Sequence, residues 1–129
     1  MKQTGYVRLA MQAFWELLRH DLVQTALGFR YLCKQVTGQR VVPQPYQPDA
    51  EQRVCDAVSL AACFYWKPVH CLQRSSVATR LLRKSGIDGR LVIGYRPSPF
   101  ISHAWVEVNG RVVNDSPAYK ERMYVLCTF

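Results

Sequence analysis

The sequence predicts an α+β fold, with helices first and a small antiparallel sheet after them. Two observations carry that reading. Apolar residues recur at helical spacing through the first two thirds of the chain, and from Arg90 onward they fall in short strand-like runs. Asn109-Gly110 stands between two of those runs, a strong short-range hairpin signal. Helical and strand segments that are segregated along a chain, not alternating, build an α+β domain.

Each element has its own signal. Val7, Ala10, Met11, Phe14, Leu17 and Leu18 mark a helix over residues 5 to 20. Leu22, Thr25, Ala26, Phe29, Leu32 and Val36 continue it as a second helical segment, with Gly28 as a weak point and Gly38 as a stop. "GQRVVPQPYQPDA" then places three prolines between residues 43 and 48. Residues 41–48 read as an extended linker. It joins an N-terminal helical segment, 1–40, to a core, 49–129, within one domain.

A third helix starts near Asp49, placed to cap it, with Gln52 three residues on as in a capping box. Val54, Ala57 or Val58, Ala61 and Tyr65 would form its buried face. A fourth helix follows Trp66-Lys67-Pro68 and covers about 71 to 84. Leu72, Val77, Leu81 and Leu82 supply its apolar positions, and Gly86 suits its C-terminal turn. Strands are expected at 90–95, 102–108, 111–114 and 124–129.

The totals bound the class. A chain of 129 residues, 49% hydrophobic, supports one globular domain with one modest core. No uncharged apolar run approaches the ~18 residues a membrane span needs, and the N-terminus lacks the pattern of a signal peptide. A cytosolic protein is expected. Its five cysteines, at 33, 55, 63, 71 and 127, are odd in number and contain no CxxC pair, so they read as free thiols. The net charge of +8 comes from 17 basic and 9 acidic residues, spread without a run of five or six. It gives a weak preference for an anionic partner.

The stretch His70-Cys71-Leu72-Gln73-Arg74-Ser75-Ser76 places a cysteine where a helix begins. A helix N-terminus offers free N–H groups and positive potential, which favour the thiolate a nucleophile needs. Cys55 and Cys63 fall mid-helix, Cys33 late in an apolar helix and Cys127 in a terminal strand. The plain alternative is that Cys71 is a small buried residue. His103, opening the strand "SHAWVEVNG", is the candidate base. His70 competes, but side chains of neighbours at a helix entry usually diverge, so it reads as a cap or a residue lining the substrate site.

The third member would be a carboxylate that holds the imidazole. A two-residue Asn109-Gly110 turn would place His103 opposite Ser116, with Asp115 on the other face. A three-residue loop with a glycine bulge would pair Glu107 with Arg111, Trp105 with Val113 and His103 with Asp115. The second register makes every pair on that face compatible, and is the one expected. Trp105 then flanks His103 and would line the substrate site. Asp115 can also be read as a turn residue before Ser116-Pro117.

With Cys71, His103 and Asp115 in that order, the chain resembles a known family. Cys71-Leu72 with Ser75 or Ser76, Leu81-Leu82-Arg83, Gly86-Ile87, Leu91 to Gly94, His103 to Glu107 and Asn114-Asp115 resemble the core of the lasso peptide biosynthesis B2 proteins. These are leader peptidases with a transglutaminase-like, papain-like core. The likeness covers about residues 50 to 115. It implies a cysteine protease that removes the leader from a ribosomally made precursor peptide and needs no cofactor or metal. Cys71 would attack, His103 would carry the proton and Asp115 would orient it. It further implies a separate leader-recognition protein of the B1 type, since a fused one of ordinary size has no room here, and a macrocyclising synthetase acting afterwards.

Two rival readings differ in class. A zinc deaminase would need an HxE and a PCxxC, and neither is present. A non-catalytic basic module for peptide or nucleic acid would need interleaved surface aromatics, whereas Trp15, Trp66 and Trp105 read as core or site-lining residues. Within thiol chemistry, an amide transferase or deamidase shares the acyl-enzyme and differs only in the group that resolves it.

Overall fold

The structure is a computed structural model that describes residues 2–45 and 47–129. Helix α1 covers Lys2–Gly38 and is broken at Gly28, whose φ of 82° and ψ of 176° are not helical. The break folds the helix back on itself. Arg19 Nη2 donates to Gln35 Oε1 at 2.7 Å, whereas a straight helix would separate those residues by ~24 Å. No described helix is long and apolar enough to cross a membrane.

Helix α2 (Ala50–Phe64) and helix α3 (Cys71–Lys84) follow. The capping box expected at Asp49 does not form. Asp49 has φ −104° and ψ 9°, away from the extended geometry that aims a capping oxygen, and it makes no cap bond. Gln52 turns instead to Asp56, Nε2 to Oδ1 2.8 Å. One core joins all three helices to one face of the sheet: Ala13 and Leu17 from α1, Val54, Val58 and Ala61 from α2, Val77, Ala78, Leu81 and Leu82 from α3, and Val106 and Val108 from the sheet. Burying each of these valine and leucine side chains stabilises the fold by ~1.5–3 kcal/mol.

The sheet has the order β3-β2-β1-β4. Strands β1 (Gly89–Pro97) and β2 (Phe100–Val108) pair antiparallel along their whole length, with Gly94 opposite His103. Strand β3 is only Arg111–Val112, and β4 (Tyr124–Thr128) pairs with β1. A short helix α4, Ala118–Arg122, stands between them. Arg83 is 5% exposed and binds α3 to its neighbours through carbonyls. It donates from Nε to Gly89 O at 2.9 Å, from Nη2 to Phe129 O at 2.9 Å and from Nη1 to Val36 O.

The hairpin register also needs correction. Val108 pairs with Arg111 and Glu107 with Val112, so the loop has two residues, not three. Asn109 and Gly110 both have positive φ, 52° and 78°, the signature of a type I′ turn that matches strand twist. The cross-strand pairs of Glu107 with Arg111 and Trp105 with Val113 expected from the bulged loop are therefore absent. Arg111 reaches Glu51 on α2 at 3.2 Å, and Glu107 takes Lys120 at 2.9 Å. Trp15 and Trp66 are not core residues: both are exposed, and Trp66 stacks on Tyr65.

Candidate active site

Cys71 is the first residue of α3, half-buried, and packs against the cluster of Val36, Leu91 and Ala104. Ala104 directly follows His103. The N-cap residue is His70, in extended conformation and without a side-chain cap bond. The first N–H groups of α3 thus have neither an intrahelical partner nor a cap. They supply donors and positive potential at the cysteine. Three of the other thiols are disfavoured as thiolates. Burial pushes Cys55 up to about 11, with Glu51 and Asp56 adding to it, and burial also raises Cys33 and Cys127. All five cysteines are free.

His103 and Asp115 are joined, Nε2 to Oδ2, at 2.7 Å. The two-residue turn would by strict alternation put Asp115 on the wrong face, so the contact has another origin. Pairing persists only to Val113, whose N–H donates to Val106 O at 3.0 Å. The next acceptor is a side chain: Asn114 Oδ1 takes the Val106 N–H at 2.8 Å. The main chain is released from the ladder and turns, so alternation no longer applies. Asp115 Oδ1 accepts the Ser116 N–H at 2.8 Å, which leaves Oδ2 for the imidazole. Tyr119 of α4 stacks on the other side of His103, with centroids 4.0 Å apart.

The remaining site residues separate. His70 is exposed and lines a cleft with Asp21, Gln24, Lys67 and Leu72. Trp105 does not line the substrate site as expected. It is 0% exposed, its ring lies over Gly94, and its Nε1 donates to Glu107 Oε2 at 2.9 Å. Two polar side chains shortly before α3 are engaged with Asp21. The Tyr65 hydroxyl donates to Asp21 Oδ2, and Lys67 Nζ pairs with Asp21 Oδ1 at 2.8 Å. The uncapped backbone N–H groups at the helix tip are donors an oxyanion could use.

Sequence reasoning missed three neighbours of the site. Tyr119 carried no signal, since its approach depends on the path of the 113–117 loop. Ser75 and Asn114 stood in the quoted motifs but had no role. Ser75 is one of several polar residues buried on α3, with Gln73, Ser76, Thr79 and Arg83, and a buried hydroxyl is a signal in itself because it needs a partner.

A model of the transglutaminase-like superfamily matches residues 14–128. The chain belongs to the transglutaminase-like superfamily. Among curated proteins it is similar to the microcin J25-processing protein McjB of Escherichia coli, 46% identical over 56 residues. Those residues are 43% of this chain and 27% of that protein, so the match spans about a quarter of the relative's length. No solved structure matches the chain. The superfamily assignment agrees with the architecture: helices packed on an antiparallel four-stranded sheet, with a cysteine opening a helix.

Proposed function

We propose that this chain is a cysteine peptidase that cuts the leader from a ribosomally made lasso precursor peptide. The observation that carries the reading is the His103–Asp115 hydrogen bond of 2.7 Å, on a sheet whose Ala104 packs with the Cys71 end of α3. The likeness to a microcin-processing protein supports the substrate class.

The chemistry follows from the atoms. Asp115 holds Nε2 of His103, so Nδ1 is the nitrogen left to take the Cys71 proton. The thiolate attacks the scissile carbonyl carbon, and the carbonyl oxygen gains the negative charge. Uncapped N–H groups of α3 face that charge. Collapse breaks the C–N bond, and the imidazolium gives its proton to the leaving amine. Water, activated by the neutral imidazole, then hydrolyses the thioester and regenerates the thiol. An amine in place of water would give transamidation. A separate leader-recognition protein would present the precursor, and a macrocyclising synthetase would consume the freed core peptide.

The test is to incubate the full chain with the precursor, with and without a leader-binding partner, and read product masses. The proposal expects two fragments whose summed mass exceeds the precursor by one water. It also expects Cys71→Ala and His103→Ala to be inactive. Cleavage by Cys71→Ala would overturn the mechanism, and an amine adduct would replace hydrolysis with transfer.

A further inference from the structure

Three hydrogen bonds tie together the neighbours of the three proposed catalytic residues. Ser75 Oγ donates to Ala104 O at 3.1 Å. Asn114 Nδ2 donates to Ser75 Oγ at 3.0 Å. Val106 N–H donates to Asn114 Oδ1 at 2.8 Å. Ser75 lies one helical turn after Cys71, on the same face of α3. Ala104 follows His103, and Asn114 precedes Asp115.

We propose that Ser75 and Asn114 are positioning residues that fix the mutual register of the Cys71 helix, the His103 strand and the Asp115 loop. The inference rests on the peptidase reading for its catalytic readout. The chemistry is directional. The Val106 amide can only donate, so it fixes the Asn114 carbonyl toward β2 and the amide toward Ser75. Ser75 accepts from Asn114, which leaves its one proton for Ala104 O. Each group has one role, and no other orientation satisfies all three. Ser75 is 1% exposed, so water cannot substitute for a lost partner. The device is also what frees the main chain after Val113, since the Asn114 side chain takes the ladder position that the backbone leaves.

The test uses the full chain with Ser75→Ala, Asn114→Ala and the double variant. Three quantities are read: kcat and KM for precursor cleavage, the rate at which iodoacetamide alkylates Cys71 at pH 7, followed by mass on the Cys71 peptide, and the cooperativity of thermal melting. The thiolate is the species alkylated, so alkylation reports the Cys71–His103 relation without any precursor. Each single variant should lower kcat and the alkylation rate by on the order of tenfold or more, with KM within about twofold, while melting cooperatively. The double variant should be no worse than the worse single, because the two residues act as one unit. Folded variants with wild-type kcat and alkylation would overturn the proposal, as would independent losses that multiply. If Ser75→Ala does not melt cooperatively, Asn114→Ala, at a half-buried loop position, decides by the same readings. If the wild-type chain cuts no precursor, the peptidase reading fails by itself, and the alkylation rates still decide the register.

Discussion

Asp115 reaches His103 at 2.7 Å although the strand that leads to it has already left the sheet. The contact is made by a turn, not by cross-strand pairing, and the carboxylate is held from its other oxygen by the Ser116 N–H. Asp115→Asn keeps the size but replaces a charged acceptor with an amide, which can present its NH2 to the ring. The imidazolium formed during attack then loses its counter-charge. Cleavage by Asp115→Asn should fall by about a hundredfold or more with KM little changed. An unchanged kcat would mean that the hydrogen bond has no catalytic part.

Tyr119 covers the face of His103 at a centroid distance of 4.0 Å, with the planes 27° apart. Such a contact is worth ~0.5–1.5 kcal/mol beyond area burial. Its removal lets the ring rotate about the Asp115 bond. Tyr119→Ala should lower kcat by about three- to tenfold, which is the same energy expressed as a rate. Tyr119→Phe keeps the ring face and should keep the rate. Equal losses in both variants would assign the effect to the hydroxyl and not to stacking.

Much of this was legible in the sequence, for reasons that differ by residue. The helix over 71 to 84 was readable because its apolar spacing, its entry after Pro68 and its Gly86 stop agree with one another. The break at Gly28 was readable because a helical pattern on both sides met a residue with no helix preference. Asp115 was named through a register that does not exist. The compatible pairs on one face argued for a bulged loop, but Asn-Gly supplies two left-handed residues and closes the shorter turn. What joined Asp115 to His103 was a side chain, Asn114, standing in for backbone. No local periodicity encodes that substitution. Trp105 reads from the sequence as core or site-lining, and what decides for the core is Gly94 one strand over, a pairing that the sequence does not print.

Gly94 makes room for that ring. A Cβ added there would meet Trp105 Cη2 at 2.4 Å and Cζ3 at 2.7 Å, and Tyr124 O at 3.1 Å. Neither a buried indole nor a paired strand carbonyl yields cheaply. Gly94→Ala should therefore destabilise by about 1–3 kcal/mol, seen as a fall in Tm of roughly 4–12 °C. Trp105→Phe should recover part of that loss in the double variant, since the smaller ring leaves the contested space. Additive losses would mean that the clash is relieved elsewhere.

His20 sets a pH limit on the fold. It is 3% exposed in α1, and neither ring nitrogen has a hydrogen-bond partner among the described residues. Burial pushes it down from 6.5 to about 4, Asp21 pulling the other way and Arg19 adding to the fall. The folded chain thus binds this proton less readily than the unfolded chain does. Its contribution is present in full above 6.5 and is lost progressively as pH falls toward 4. From pH 7 to pH 5 the loss is about 2 kcal/mol. Glu16 acts in a lower window. Burial raises it, but Lys84 and Arg80 outweigh burial and hold it below the usual carboxylate range, so its contribution is lost only as pH falls further. His20→Leu removes the titrating group without removing a hydrogen bond. The variant should melt at nearly the same temperature at pH 5 as at pH 7, while the wild type loses stability over that interval. A wild-type Tm that does not move between those two pH values would show that the imidazole is protonated without cost in the fold.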